Sequence, residues 1–201
     1  MTELSLAMMI PRTEAEGPGL RMALWVQGCP MRCAGCCNPE MLPFERGPGA
    51  STRRVTELLE SLRGLDVEGV SLLGGEPFAH DAPLAELAEG ARALGRSVMV
   101  FSGYTLEELR ASPRPDTARL LAATDLLVDG RYEASRQSTS RRWIGSDNQR
   151  LHLLTDRYRA DDPRFTAPNQ VELRLRGDAL TVSGWPLFGA RRLVKRGEPS
   201  P

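Results

Sequence analysis

The sequence predicts an α/β fold, an incomplete barrel of about six parallel strands that is open on one side. Short apolar strands alternate with amphipathic helices along most of the chain, which is the pattern of a parallel sheet built from β-α units. Too few of these units precede the C-terminal segment to close an eight-stranded barrel. We therefore expect an open barrel that ends in a hairpin or edge strands.

The spacing of apolar residues and the helix caps place the elements in order. Strands are predicted at residues 20–26, 69–73, 97–101, 125–129 and 150–154. One helix is predicted to begin near Ser51 or Thr52 and to end at Gly64, and a second to begin at Asp81. A third begins at the capping box of Thr105 and Glu108, and a fourth covers residues 115–123.

The C-terminal part of the chain has a different pattern. Apolar and charged residues alternate over residues 171–183 around Gly177 and Asp178, which predicts an antiparallel hairpin or edge strands. Residues 191–201 are charged and rich in proline, so we expect a flexible tail. No repeat or linker divides the rest, and residues 1–190 are expected to form a single domain.

All four cysteines lie within residues 29–37, directly after the first predicted strand. Cys29, Cys33 and Cys36 have the spacing C-x3-C-x2-C, and three thiolates on one loop can hold three irons of a 4Fe-4S cube, leaving the fourth iron open. A structural zinc normally takes four ligands from two separated pairs, and disulfides within one loop would tie nothing to the rest of the chain. We interpret Cys37 as a half-buried packing residue, with a ligand or redox role as the alternative.

Glycine-rich and polar motifs follow the other predicted strands. The turn Gly74-Gly75-Glu76-Pro77 follows the second strand, Ser102 follows the third, and Asp129 ends the fourth. Because the carboxyl ends of barrel strands converge on one site, we expect these residues beside the cysteine loop. Glycines let the main chain approach a ligand closely, and Glu76 would supply a negative charge to a bound ammonium. Asp129 is either a ligand contact or the start of a solvated loop.

The loop Gly28–Glu40 resembles the cluster loop of the radical S-adenosylmethionine (SAM) superfamily. Within it, the chain is most similar to the activating proteins of glycyl radical enzymes, especially those of anaerobic ribonucleotide reductases. The similarity extends from about residue 16 to about residue 186, through residues 17–21, 74–77, 102–109, 129–131 and 142–150. At the position of Cys37 this family usually carries His.

The resemblance implies a 4Fe-4S cluster held by Cys29, Cys33 and Cys36, with SAM on its open iron. The residues expected to bind SAM are those at the strand ends, Gly74, Gly75, Glu76, Pro77, Ser102 and Asp129. An external donor such as flavodoxin or ferredoxin would supply one electron to cleave SAM into methionine and a 5'-deoxyadenosyl radical. That radical would abstract hydrogen from a glycine of a large partner enzyme, so no protein side chain is expected to be catalytic.

Two other functions stay open at this point: a radical SAM enzyme acting on a small molecule or peptide, and a non-catalytic iron-sulfur module. The chain has 26 basic and 26 acidic residues, so neither nucleic acid nor membrane is an expected partner. The absence of a basic leader and of a long apolar stretch, together with the thiols, predicts a cytoplasmic protein. Arg21 is expected in a surface ion pair, with a partner or cofactor contact as the alternative; His80 and His152 are interpreted as structural.

Overall fold

The computed structural model describes residues 2–45, 50–177 and 179–184 of the chain. These residues form a seven-stranded mixed sheet and a separate two-stranded hairpin. The strands are β1 Glu3–Thr13, β2 Arg21–Val26, β3 Ser51–Arg54, β4 Gly69–Gly74, β5 Ser97–Phe101, β6 Leu126–Asp129, β7 Arg150–Leu153, β8 Val171–Arg176 and β9 Ala179–Gly184. The helices are α1 Val55–Arg63, α2 Asp81–Ala93, α3 Leu106–Arg110 and α4 Pro115–Ala122. The expected tail, residues 191–201, lies outside the described residues.

The sheet contains fewer parallel strands than the sequence predicts. Its order is β3-β1-β2-β4-β5-β6-β7, and only β2, β4, β5 and β6 pair in parallel. A parallel pair needs a long crossover connection, usually an α-helix, whereas no α-helix lies between β1 and β2 or between β6 and β7. Both of those pairs are antiparallel. The expected six parallel strands are therefore four, extended by antiparallel strands at both edges.

The start of the first helix also differs from its prediction. Ser51–Arg54 is not helical but forms β3, which pairs with β1 from Glu3 opposite Arg54 to Leu6 opposite Ser51. All four residues of β3 are exposed, so no apolar face favours a helix there, and pairing satisfies their backbone groups. The helix begins at Val55, the first buried residue of the segment.

The helices cover one face of the parallel strands, and the cysteine loop belongs to the other side. Met22, Leu24 and Val26 of β2 point into the main core formed with the helices. The intervening Ala23 and Trp25 point to the opposite face, where they form a smaller cluster with Ile10, Met41 and Leu73. Alternate residues of a strand face opposite sides, so this division follows from the strand period. The predicted hairpin is confirmed as β8 and β9.

Arg21 is fully buried at the start of β2, contrary to the expectation of a surface ion pair. Its guanidinium donates to Ser71 Oγ at 2.7 Å, Ser97 Oγ at 2.8 Å and the Val70 carbonyl at 2.7 Å. Further bonds reach the Pro18 carbonyl at 3.1 Å and the Tyr158 hydroxyl at 3.3 Å. This end of the sheet is opposite the cysteine loop, so Arg21 ties β2, β4 and β5 together and is not a cofactor contact.

Replacing Arg21 by Lys is expected to lower the free energy of unfolding by about 3 kcal/mol, because a single ammonium cannot reach all of these acceptors and leaves buried groups unpaired. Urea unfolding of the reduced protein followed by circular dichroism measures the loss. The matched control is Arg63→Lys, an exposed residue in the last turn of α1, with an expected change within about 0.5 kcal/mol. Equal stability of both variants would contradict the structural role of Arg21.

Among the described residues, no helix has the length and apolar character that a membrane span requires.

Candidate cluster and cofactor site

The cysteine loop begins directly after β2 and is held by backbone hydrogen bonds. The Gly28 amide donates to the Met41 carbonyl at 2.9 Å, and the Cys29 amide donates to the Leu42 carbonyl at 3.0 Å. Three residues in the loop have positive φ: Gly28 at 109°, Arg32 at 49° and Gly35 at 72°. Positive φ is uncommon for a residue with a side chain, and such backbone is concentrated at functional sites. Arg32 lies between the first two predicted cluster ligands.

The four cysteines and the Gly-Gly-Glu turn line one cavity at the carboxyl ends of the parallel strands. Cys29 is buried, Cys33, Cys36 and Cys37 are half-buried, and none of the four forms a disulfide. Of the sequence-predicted site residues, the structure brings the following to the cavity wall: Cys29, Cys33, Cys36, Gly74, Gly75, Glu76 and Ser102. Pro77 and Asp129 do not line it. Seven of the nine candidates therefore meet at one site, as the convergence of strand ends predicts.

The donor set fits an iron-sulfur cluster better than a single ion. In the described part of the chain, no group of three His, Cys, Asp or Glu side chains is placed so that it could hold one metal ion. In a 4Fe-4S cube each thiolate binds its own iron, so three ligands need not converge on a point. Burial raises the pKa of the Cys29 thiol, and the nearby Glu76 and Cys33 contribute in the same direction. Iron binding would have to displace that proton, because the ligand is the thiolate.

The Gly74-Gly75 turn is packed against the base of the cysteine loop. The Gly75 amide donates to the Val26 carbonyl at 2.8 Å, and the Glu76 amide donates to the Gly28 carbonyl at 2.9 Å. A side chain at Gly75 would place its Cβ 2.2 Å from the Gly28 carbonyl oxygen. Gly74 has a φ of 106°, which only glycine adopts easily. Glycine is thus needed at both positions for the two loops to touch.

Gly75→Ala is expected to lower the free energy of unfolding by about 2 kcal/mol and to impair retention of iron, because the methyl group must displace the backbone before Cys29. Denaturant unfolding and iron analysis after anaerobic reconstitution measure both effects. Gly64→Ala is the control, since the nearest atom to its Cβ would be at 3.6 Å, an ordinary contact. Iron content equal to wild type in Gly75→Ala would contradict the close approach.

Glu76 joins the turn after β4 to the turn after β5. Its Oε1 accepts from the Phe78 amide and from Ser102 Oγ, both at 2.9 Å, and its Oε2 accepts from the Gly103 amide at 2.8 Å. Burial raises the pKa of Glu76 to about 7, although these donors act to lower it. The carboxylate is thus engaged by its own protein, and Ser102, a predicted cofactor contact, is one of its partners.

Asp129 is fully buried but lies outside the cavity. Its carboxylate accepts from the Leu106 amide at 2.7 Å and from Arg150 at 2.6 Å, and His152 Nε2 lies 3.0 Å away. Burial alone would raise the pKa of Asp129, but these donors outweigh it and the pKa lies below its usual value. The structure therefore connects Asp129 to the first turn of α3 and to β7, and does not aim it at the predicted cofactor position.

The segment Arg142–Arg150, for which the sequence suggests no mechanism, forms a wall of the cavity. Gln149 Oε1 accepts from the Gly145 and Ser146 amides at 2.9 and 3.0 Å, and its Nε2 donates to the Gly130 carbonyl at 2.8 Å. Trp143 has a φ of 60°, is buried and lines the cavity. Gln149 thus fastens this segment to the end of β6, and the strained backbone at Trp143 holds an indole ring in the wall.

Glu16 is a further cavity residue that the sequence analysis does not identify. It is half-buried, its removal from water raises its pKa to about 7, and it accepts a hydrogen bond from the Gly184 amide at 2.7 Å. The available signal is its position directly before Gly17-Pro18-Gly19. This carboxyl group connects the cavity wall to the C-terminal hairpin.

Comparison with known proteins places these features in one family. The family model described as "4Fe-4S single cluster domain" matches residues 15–152. The anaerobic ribonucleoside-triphosphate reductase-activating protein of Enterobacteria phage T4 is 31% identical over 70% of this chain and 88% of its own length. The protein of the same name from Pasteurella multocida is 31% identical over 72% of this chain and 94% of its own length.

A solved structure, QueE from Escherichia coli, is similar with a TM-score of 0.44 and 22% identity, covering 51% of this chain and 53% of that one.

Proposed function

Since the chain belongs to the 4Fe-4S single cluster domain family and to the anaerobic ribonucleoside-triphosphate reductase-activating proteins, we propose that it installs a glycyl radical on a partner reductase. The observation that carries this function is the C-x3-C-x2-C loop, which shares one cavity with the Gly-Gly-Glu turn. The partner is a large enzyme of the anaerobic ribonucleotide reductase class.

The cluster is held by Cys29, Cys33 and Cys36, and Cys37 packs beside it. Held by these residues, the cluster and SAM would supply the one-electron radical chemistry that cleaves the sulfonium and removes a hydrogen atom from a glycine of the partner. The electron comes from an external donor such as flavodoxin or ferredoxin.

The protein's own residues bind and shield the reactants. Gly74 and Gly75 expose the main chain after β4 to the SAM ammonium group, and Glu76 and Ser102 hold that main chain in place. Pro77 and Asp129 support the residues that line the cavity, since neither lines it directly. Apolar side chains that include Trp25, Phe101 and Trp143 line the same space and exclude water from a reactive radical.

The sheet is expected to curl as an incomplete barrel that is open on one side, with the helices outside and the cofactors inside. All four helices lie on the face that carries the main core, which supports this arrangement. An open side suits a protein substrate, because a loop of the partner must reach the cofactor. The described residues form one domain, in a protein that works in the cytoplasm.

The proposed function is tested with anaerobically reconstituted protein, dithionite and SAM. We expect 5'-deoxyadenosine by chromatography and, after addition of the reductase from the same organism, a stable glycyl radical signal by electron paramagnetic resonance. Formation of the cluster without cleavage of SAM would instead indicate a non-catalytic iron-sulfur module. Cleavage without a radical on any reductase would indicate a different substrate.

A further inference from the structure

The hairpin of β8 and β9 has one apolar face and one polar face, and its apolar face is the one turned away from the protein. In an antiparallel pair, residues opposite each other share a face. Leu173 is opposite Val182 and Leu175 is opposite Leu180, and together with Val171 these residues form one apolar face. The other face carries Glu172, Arg174, Thr181 and Ser183.

The apolar face is the one exposed to solvent. Val171 is 42% exposed, Leu173 55% and Leu175 73%, so exposure increases toward the tip of the hairpin. In the described part of the chain, three of the four large exposed apolar side chains are these residues of β8. The polar face packs inward, where Glu172 accepts from the Glu14 amide at 2.7 Å and Arg174 donates to the Arg12 carbonyl. A contiguous exposed apolar face is the usual mark of an interaction site.

The base of the hairpin is fixed at the rim of the cavity. The Gly184 amide donates to Glu16, a cavity residue, at 2.7 Å. On the other side of the base, Arg142 donates to Gln170 Oε1 at 3.1 Å and the Trp143 amide donates to Asn169 Oδ1 at 3.1 Å. Val182 belongs to the apolar face and also lines the cavity. The face is therefore continuous with the site of the chemistry.

The hairpin also lies beyond the part of the chain that the family model matches. That match ends at residue 152, and β8 begins at Val171. An alignment that uses 72% of this chain already accounts for 94% of the Pasteurella multocida relative. The hairpin is therefore not part of the region that the family model describes.

We propose that the apolar face of the hairpin is a docking surface for the polypeptide of the partner reductase, which crosses it as its glycine enters the cavity. This inference rests on the proposed function, because that reaction requires a protein segment to reach the cavity, which Val182 of the apolar face lines. An extended segment with apolar side chains fits a two-stranded ribbon of this kind, whose six-residue strands span about 20 Å.

The test is the double variant Leu173→Asp with Leu175→Asp in the full-length chain. Its matched control is Thr56→Asp with Ala118→Asp, which adds the same charge at exposed positions of α1 and α4. We expect the hairpin variant to raise the KM for the reductase, and the Kd measured with the purified proteins, at least tenfold. Neither constant should change by more than twofold in the control. Formation of 5'-deoxyadenosine without reductase should match wild type in both.

The outcomes separate the docking proposal from the proposed function. Unchanged affinity for the reductase in the hairpin variant would overturn the docking surface alone, provided that wild type cleaves SAM. If neither wild type nor the variants cleave SAM, the proposed function fails, and the Kd for the reductase still tests the docking surface. Wild type should also bind the dye ANS more strongly than the hairpin variant. Two results would overturn the proposal by showing that this chain itself covers the face. One is equal ANS binding by wild type and the hairpin variant. The other is a wild-type dimer that the hairpin substitutions dissociate and the control substitutions do not.

Discussion

Single substitution of Cys29, Cys33 or Cys36 by Ala is expected to abolish the cluster and all SAM cleavage. Reconstituted wild type should contain roughly four irons per chain, and each variant less than about one, because two remaining thiolates cannot hold the cube. Formation of 5'-deoxyadenosine should fall below detection, since no protein side chain replaces the electron source. Iron and sulfide analysis, with the visible absorption of the reconstituted protein, measures this loss.

Cys37→Ala is the matched control for these three variants. Cys37 lines the same cavity and is half-buried like Cys33 and Cys36, but it is assigned no iron. We expect it to keep its iron and at least half of the wild-type rate of SAM cleavage. Loss of the cluster in Cys37→Ala, with retention in one of the other three, would reassign the ligands. Loss of the cluster in all four variants would mean that Cys37 holds the fourth iron, which SAM needs open.

Glu76→Ala is expected to lower the free energy of unfolding by at least about 3 kcal/mol, because two buried donors and one half-buried donor lose their acceptor at once. The turns after β4 and β5 would separate, and SAM cleavage should be lost with them. Urea unfolding of the reduced, iron-free chain measures the stability. Glu60→Ala, an exposed position of α1, should change it by less than about 0.5 kcal/mol. Equal stability of the two variants would show that Glu76 does not join the turns.

Glu76 also contributes to the pH dependence of stability. Its folded pKa of about 7 lies above the ordinary glutamate value of 4.5, so the folded chain holds the proton more tightly than the unfolded chain. The resulting stabilisation is complete below pH 4.5 and is lost as the pH rises through 7. Wild-type stability should lose this contribution over this range, and Glu76→Gln should show a shallower fall because the contribution of Glu76 is removed while that of Glu16 remains. An unchanged slope would contradict the raised pKa of Glu76.

Local signals in the sequence were sufficient for the parallel core of the fold. β5 and the capping box of Thr105 and Glu108 lie where predicted, because each depends on residues adjacent in the chain. β3 was mispredicted as helix because its pairing with β1 is a long-range interaction that no local pattern reports. The number of parallel strands was overestimated for the same reason, since strand direction depends on the connections and not on the composition of each strand.

The site was predictable where its residues follow strand ends. Cys29, Gly75 and Ser102 belong to different loops, and the convergence of parallel strands brings them to one cavity. Asp129 also follows a strand, but its carboxylate turns toward Arg150, a partner supplied by the antiparallel strand β7. The burial of Arg21 was hidden in the sequence, because its acceptors Ser71 and Ser97 come from two other strands.

The central claim is a 4Fe-4S cube held by three protein thiolates, with its fourth iron open to SAM. Mössbauer spectroscopy of the chain reconstituted with ⁵⁷Fe tests it most directly, by comparing spectra before and after addition of SAM. We predict that one iron in four acquires distinct parameters when SAM is added, while the other three keep theirs. Four irons that remain unchanged in the presence of SAM would contradict the account.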